Sequence, residues 1–267
     1  ASCDLQCDHC GGKILDAMTP TITPEALVET CQSLERRGNH GVLISGGCSE
    51  DGDLPLAEFA PAIRQIKDTT GLMVSIHSGC LTDQDAVALK EAGVDQALID
   101  VVGDEETFRK VYHVSFGLSS ILSSMASLQK AGLPMIPHIV CGLDYGHIKG
   151  EKNAVDMISR FTVQHVVIVS LMGIPGTPMG KVIPPKAQAV ADIIVETRLK
   201  MPDVFISLGC ARQRGNTEME VLAIDAGVNR MAIPSDEAIE RALYYELDIS
   251  YQKTCCSVSD VLSRPAW

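Results

Sequence analysis

Seven short β-branched runs, alternating with amphipathic helical stretches, constrain this chain more than any other feature. The runs are Gly41–Ser45 (GVLIS), Leu72–His77 (LMVSIH), Gln96–Asp100 (QALID), Met135–Val140 (MIPHIV), His165–Leu171 (HVVIVSL), Val204–Leu208 (VFISL) and Arg230–Ile233 (RMAI). Several are nearly continuous in apolar residues, as parallel strands covered on both faces must be. The stretches between them carry helix punctuation. Thr23 and Pro24 read as N-cap and first-turn proline, with Gly38 as the stop. Thr82 opens a helix ending at Ala92–Gly93, and Ser119 to Ala131 stops at Gly132. Pro185 precedes a long helix to Lys200, and Ser235 caps one running to about Tyr245. Units recurring at roughly 20–40 residues are βα units. A right-handed parallel array of this length closes most naturally into a barrel. The expected fold is α/β, a TIM-type (β/α)8 barrel whose first strand precedes residue 1, with an open doubly wound sheet as the alternative. Residues 1–245 read as the barrel and 246–267 as a C-terminal, cysteine-containing tail that folds over its mouth.

Composition narrows the function classes. With 46% hydrophobic residues, the 267-residue chain has ample core material. The net charge of −12 argues against a nucleic-acid or anionic-membrane partner. The longest apolar stretch, around Val166 to Ile174, is too short to span a bilayer. No secretory leader opens the chain, which starts abruptly inside what reads as a loop. Ten cysteines are many, but their uneven placement does not suit a disulfide framework. A reducing, cytoplasmic, metal-binding protein is expected.

The segment Cys3-Asp-Leu-Gln-Cys7-Asp-His-Cys10-Gly-Gly carries the most chemical information. Three thiolates spaced C-x3-C-x2-C on one short loop can hold three irons of a 4Fe–4S cluster, leaving the fourth iron open to a small molecule. A zinc site would usually pair C-x2-C with a second Cys/His pair. His9 could join such a site, though Cys3 would then be unexplained. Three loop thiols without a shared ligand are the remaining alternative.

That spacing after a barrel strand resembles the signature of the radical S-adenosylmethionine (SAM) superfamily. The resemblance runs over essentially the whole chain. It implies that Cys3, Cys7 and Cys10 carry the catalytic cluster. The open iron would chelate SAM, and an electron from a donor such as ferredoxin or flavodoxin would release a 5′-deoxyadenosyl radical. Ser45-Gly46-Gly47 matches the glycine-rich segment at the SAM amino group, with Cys48 and Glu50 where an acidic residue often follows. Asp100 matches the ribose contact, and His138-Ile139-Val140-Cys141-Gly142 the adenine segment, through Ile139 and Gly142. His9 stands where an aromatic residue often precedes the third cysteine. Pro175-Gly176-Thr177-Pro178-Met179 resembles a turn of the biotin-synthase-like branch.

Cys48, Cys80, Cys141 and Cys210 lie at or just after strand ends, on the face where barrel chemistry sits. Cys31 falls on a helical stripe with Leu27 and Leu34 and reads as core. Cys48, Cys210, Cys255 and Cys256 are the preferred ligands of an auxiliary iron–sulfur cluster, with Cys80 and Cys141 as replacements and only one of the adjacent tail pair expected to bind. Ser75 and Ile136 stand where biotin synthases have barrel cysteines. The segments Leu208–Gly215, Ile233-Pro234-Ser235 and Cys255-Cys256-Ser257 resemble archaeal-type two-protein lipoyl synthases. This implies sulfur insertion into a carrier-protein-bound octanoyl chain, with a partner synthase subunit. The alternatives are a biotin-synthase-like radical enzyme that inserts no sulfur, acting on a small molecule, and a noncatalytic iron–sulfur partner subunit. Arg212 and Arg214 read as cluster neighbours or as a solvated pair, His77 and His138 as core or cavity imidazoles, and Glu151 as a SAM contact or first-turn acid.

Overall fold

The computed structural model of the chain describes residues 2–258. Each expected strand is present: β1 (Gly41–Ile44), β2 (Met73–His77), β3 (Gln96–Asp100), β4 (Met135–Cys141), β5 (His165–Ser170), β6 (Phe205–Leu208) and β7 (Arg230–Met231). All neighbours pair in parallel, in the unbroken order β1 to β7. A doubly wound sheet reverses its strand order at a switch point. This one does not, and it has one strand fewer than a closed eight-stranded barrel. Among the described residues β1 and β7 each keep one edge unpaired.

The helices are α1 (Pro24–Arg36), α2 (Ala60–Thr69), α3 (Asp83–Ala92), the single turn α4 (Glu105–Thr107), α5 (Leu118–Ala131), α6 (Glu151–Ile158), α7 (Ala187–Lys200), α8 (Thr217–Asp225) and α9 (Asp236–Tyr244). The expected caps form. Thr23 Oγ1 accepts from Ala26 N–H, Thr82 and Asp85 make a reciprocal capping box, and Ser235 Oγ accepts from Ala238 N–H. The sequence reading missed α2, whose entry carries no side-chain cap and runs in through a 3-10 turn, Pro55–Phe59.

Strand residues alternate between two cores. Val74, Ile76, Ala97, Ile99, Val166, Ile168, Ile206 and Leu208 join the large cluster under the helices, while Leu98, Ile136, Val167 and Val169 form a separate small one. The second lines the barrel interior, so Ser75, His77, Gln96, Asp100, His138, His165, Ser207 and Arg230 share its inward rows by strand period. The last described residues of the tail are held by side chains of the sheet. Gln96 Nε2 donates to Ser257 O (2.8 Å), Ser207 Oγ to Cys256 O (3.1 Å) and Arg230 Nη1 to Val258 O. Residues 256–258 are thus buried against inward-facing side chains of β3, β6 and β7; residues 259–267 of the expected tail lie outside the described residues. Among the described residues no helix is long and apolar enough to cross a membrane.

Candidate active site

The cysteine loop is anchored from four sides. Asp4 N–H donates to Cys48 O (2.9 Å) after β1, and Asp8 N–H to Val111 O (2.8 Å) after α4. Met179 N–H donates to Asp8 O (3.1 Å) and Lys13 Nζ to Pro175 O (3.0 Å), so the Pro175–Met179 turn buttresses the loop directly. His113 Nε2 (2.8 Å) and the Tyr145 hydroxyl both reach the Asp8 carboxylate. Burial opposes its charge, yet these two hydrogen bonds hold Asp8 below the usual carboxylate range. Within the loop, Cys10 N–H and Gly11 N–H converge on Cys7 O (3.2 and 2.8 Å), and Gly11 and Gly12 turn the chain at φ of 50° and 74°.

Cys3, Cys7 and Cys10 all face one cavity of about 240 Å³, shared with His9, Gly46, Gly47, Cys48, His77, Cys80, Asp100 and Tyr112. The Cys7–Cys10 hydrogen bond, aided by His9, brings the Cys10 thiol down to about 4, while the same bond and burial push Cys7 up. Cys48 N–H donates to Cys3 Sγ at 3.3 Å. His9 packs at 5.4 Å on Tyr112 and leaves its Nδ1 buried without a hydrogen-bond partner. Among the described residues no three His, Cys, Asp or Glu side chains close on a single metal ion. A cluster spreads its thiolates over a wider cage than one tetrahedral ion. Three thiols on a rigid loop facing one cavity, with a backbone N–H aimed at one sulfur, fit such a cage.

The two glycines after β1 differ. A side chain at Gly47 would strike the backbone of Ser2 and Cys3, whereas one at Gly46 would meet only Leu54 Cδ2 at 3.8 Å. Gly47 therefore admits the cysteine loop, and Gly46 leaves backbone open to the cavity. Asp100, at the end of β3, lines this cavity and an adjoining one formed with His138, Ile139, Val140 and Glu151. The Ile139 side chain is buried under the helices. Gly142 lines neither cavity: its N–H donates to Glu151 Oε1 (2.7 Å), and Glu151 Oε2 accepts from Lys149 N–H (2.7 Å). Glu151 thus shapes the turn after β4. Cys31 and Cys141 are buried thiols in the helix-side core, as the helical stripe implies for Cys31.

A second group of thiols forms at β6. Cys255 Sγ and Cys256 Sγ lie 4.0 Å apart, and both thiols interact electrostatically with Cys210. Both adjacent tail cysteines therefore lie at one place. The hydrogen bond from Cys256 lowers Cys210 to about 6 and Cys255 to about 5. Ser257 Oγ donates to Cys255 Sγ (3.2 Å). Of the expected set of four, Cys48 lines the cavity of the first loop together with Cys3 and Cys80. Three thiols converging from a strand end and the tail are a donor set of the kind that iron–sulfur groups take.

Arg212 is not a solvated residue. It is fully buried, with Glu220 Oε1 at 2.6 Å and the carbonyls of Gly209, Ala232 and Ile233 as acceptors, and it fixes the loop that carries Cys210. Arg214 contributes positive charge at Cys210. His77 Nδ1 bonds Ser45 Oγ (3.0 Å) and its ring stands edge-on to His138 at 6.3 Å, so both imidazoles face the interior. Sequence reading missed Tyr112 and the inward polar residues Gln96, Ser207 and Arg230. The only trace of Gln96 was a polar residue heading an apolar run.

A model of the Radical SAM superfamily matches residues 1–150, and one of the Biotin and Thiamin Synthesis associated domain matches residues 165–264. Biotin synthase of Bordetella avium is 27% identical over 65% of this chain and 54% of its own length. That of Rickettsia felis is 23% identical over 85% and 74%. The chain thus spans little more than half the length of several such relatives. Among solved structures, methylornithine synthase matches with a TM-score of 0.66 at 19% identity, over 93% of this chain and 80% of that one. The FeFe-hydrogenase maturase HydG from Carboxydothermus hydrogenoformans gives 0.61 at 17%, over 86% and 55%. Both likenesses are likenesses of fold.

Proposed function

Because the chain belongs to the radical SAM superfamily, on its biotin-synthase-like side, we propose that it is a sulfur-inserting radical SAM enzyme of lipoyl-synthase type. Its substrate is an octanoyl chain on a carrier protein, its reductant a ferredoxin or flavodoxin, and a partner synthase subunit completes the reaction. The observation that carries this reading is the presence of two separate thiol groups on one barrel, Cys3/Cys7/Cys10 and Cys210/Cys255/Cys256. When bound, a cluster with SAM at the first group supplies a hydrogen-abstracting radical, and a cluster at the second supplies sulfur.

The protein's own residues do the rest. Cys3, Cys7 and Cys10 ligate the catalytic cluster, and the tail, residues 246–267, brings Cys255 and Cys256 to Cys210. Gly46 leaves room for close approach of the SAM amino group, and Asp100 orients its ribose at the junction of the two cavities. Backbone at Ile139 borders the adenine, and Gly142, held by Glu151, shapes the turn beyond it. Leu98, Ile136, Val167 and Val169 keep the interior between the two groups apolar. Such a lining suits an alkyl chain and excludes water from a radical.

Counting iron and acid-labile sulfide in anaerobically reconstituted protein tests this reading. About eight of each per chain is the expected result. About four would remove the second cluster and with it sulfur insertion.

A further inference from the structure

The interior of a (β/α) barrel is normally closed by layers of branched apolar side chains. Here the inward rows of β2, β3, β5, β6 and β7 carry Ser75, Gln96, His165, Ser207 and Arg230 around the small apolar cluster. Gln96 and Ser207 are fully buried. A buried primary amide without a partner is strongly unfavourable, so this row makes sense only with a polar occupant. The occupant is the tail. Three successive carbonyls, those of Cys256, Ser257 and Val258, are taken by side chains from three different strands: Ser207 of β6, Gln96 of β3 and Arg230 of β7.

The hydrogen-bond chain has a direction. Ser207 has one hydroxyl proton and gives it to Cys256 O, so at 2.7 Å it accepts from His165 Nε2–H. That fixes the His165 tautomer and presets Ser207 for the tail. Each of these three hydrogen bonds takes a backbone carbonyl, so together they set the placement of the tail backbone. Cys255 to Val258 form a turn closed by Val258 N–H to Cys255 O (3.1 Å), so fixing its carbonyls also fixes where Cys255 and Cys256 stand relative to Cys210.

We infer that Gln96, Ser207 and Arg230 form a backbone-reading socket inside the barrel that positions the tail, and with it the thiols of Cys255 and Cys256 beside Cys210. They are positioning residues for the second thiol group. The inference rests on the two-group reading above only for what those thiols hold.

The test uses the full-length apo protein under anaerobic, reducing conditions. The rate of iodoacetamide labelling is followed at each cysteine by tandem mass spectrometry, in wild type, Gln96→Met and Ser207→Ala. Cys256 is buried by the docked tail, whereas Cys31 and Cys141 are buried in the helix-side core and report global opening. The expected result is that each variant labels Cys256 about tenfold faster, the size of one lost buried hydrogen bond, with Cys31 and Cys141 unchanged. An unchanged Cys256 rate in both variants overturns the socket. So does a rise at Cys256 matched by Cys31 and Cys141 in both, because that reports general loosening. If Gln96→Met alone loosens the whole fold, Ser207→Ala, a smaller change, decides. Iron counts separate the socket from the function. Loss of about four irons per chain in the variants but not in wild type supports both, whereas about four irons in wild type itself refutes the second cluster and leaves the labelling result to judge the socket.

Discussion

Replacing Gly47 with alanine should damage the catalytic loop, whereas the same change at Gly46 should not. Neither glycine has a positive φ, so the contrast is steric rather than conformational. At Gly47 the new methyl carbon would lie 2.6 Å from Cys3 Cα and 2.7 Å from Cys3 Cβ, and closer still to Ser2 O. Carbon pairs settle at about 3.5–4.0 Å, so the start of the cysteine loop must retreat by about 1 Å. The contacts that hold it there are Asp4 N–H to Cys48 O and Cys48 N–H to Cys3 Sγ. Overpacking costs about 1–3 kcal/mol and each strained hydrogen bond about 1 kcal/mol. The total, about 3–5 kcal/mol against the loaded geometry, exceeds two tenfold steps at about 1.4 kcal/mol each. Gly47→Ala should therefore reconstitute with little catalytic cluster and form at most a few per cent of the wild-type 5′-deoxyadenosine. Gly46→Ala should load normally and weaken only SAM binding. The assay is iron content with anaerobic 5′-deoxyadenosine formation for both variants. Full loading and full SAM cleavage by Gly47→Ala would refute the steric argument.

Cys7→Ala should abolish SAM cleavage, and retained 5′-deoxyadenosine formation would sink its assignment; Cys31→Ala, in the helix-side core, should keep cleavage and lose only stability. Cys210→Ala should spare SAM cleavage while stopping sulfur transfer, which product mass spectrometry reads directly. Arg212→Met leaves Glu220 charged and buried without its partner, so urea unfolding should show a loss of about 3–5 kcal/mol. Glu220 also sets an acid limit. Burial opposes its charge, but Ser235 N–H and Arg212 outweigh this and hold its pKa below the ordinary carboxyl value. A depressed pKa gives stability that is present above the unfolded-state value and lost as pH falls through the folded-state value. Glu220→Gln should accordingly flatten the acid limb of the urea midpoint against pH, and an unchanged limb would exclude Glu220 as its source.

What the sequence disclosed depended on how local each cause was. Strands were readable because β-branched runs and their burial are local, and Thr23, Thr82 and Ser235 announced helix starts through hydroxyls three residues from the amides they cap. Two helices were missed: α2 begins without a side-chain cap, and α8 is capped by the Asn216 amide rather than a hydroxyl. Cys3, Cys7 and Cys10 were readable because their spacing itself puts three thiols on one loop. The second group was only half readable. Cys210, Cys255 and Cys256 were picked out, but their meeting depends on contacts such as Gln96 to Ser257, 161 residues apart. Cys48 was drawn into that group by its place at a strand end, yet Gly47 draws the loop of Cys3 against it instead.

Arg212 and Gln96 show why polar residues near a barrel site resist assignment from sequence. Arg212 reads equally well as a solvated or a cluster-side residue and Gln96 only as the polar head of an apolar run, yet each is fully buried with backbone carbonyls as acceptors. Both satisfy a segment that bears cysteine: Arg212 fixes the loop after β6, and Gln96 fixes the tail. Their burial follows from that task. A thiol group assembled from two remote segments has no spacing rule to hold it, so its geometry must be imposed by side chains that are themselves immobile. Full burial with directional hydrogen bonds supplies that immobility, whereas an exposed arginine or glutamine would give it up to solvent. The catalytic loop needs less such support because three cysteines within eight positions already share one backbone. The difference predicts that substitutions in the barrel interior will separate the two thiol groups, disturbing Cys255 and Cys256 while Cys3, Cys7 and Cys10 keep their cavity.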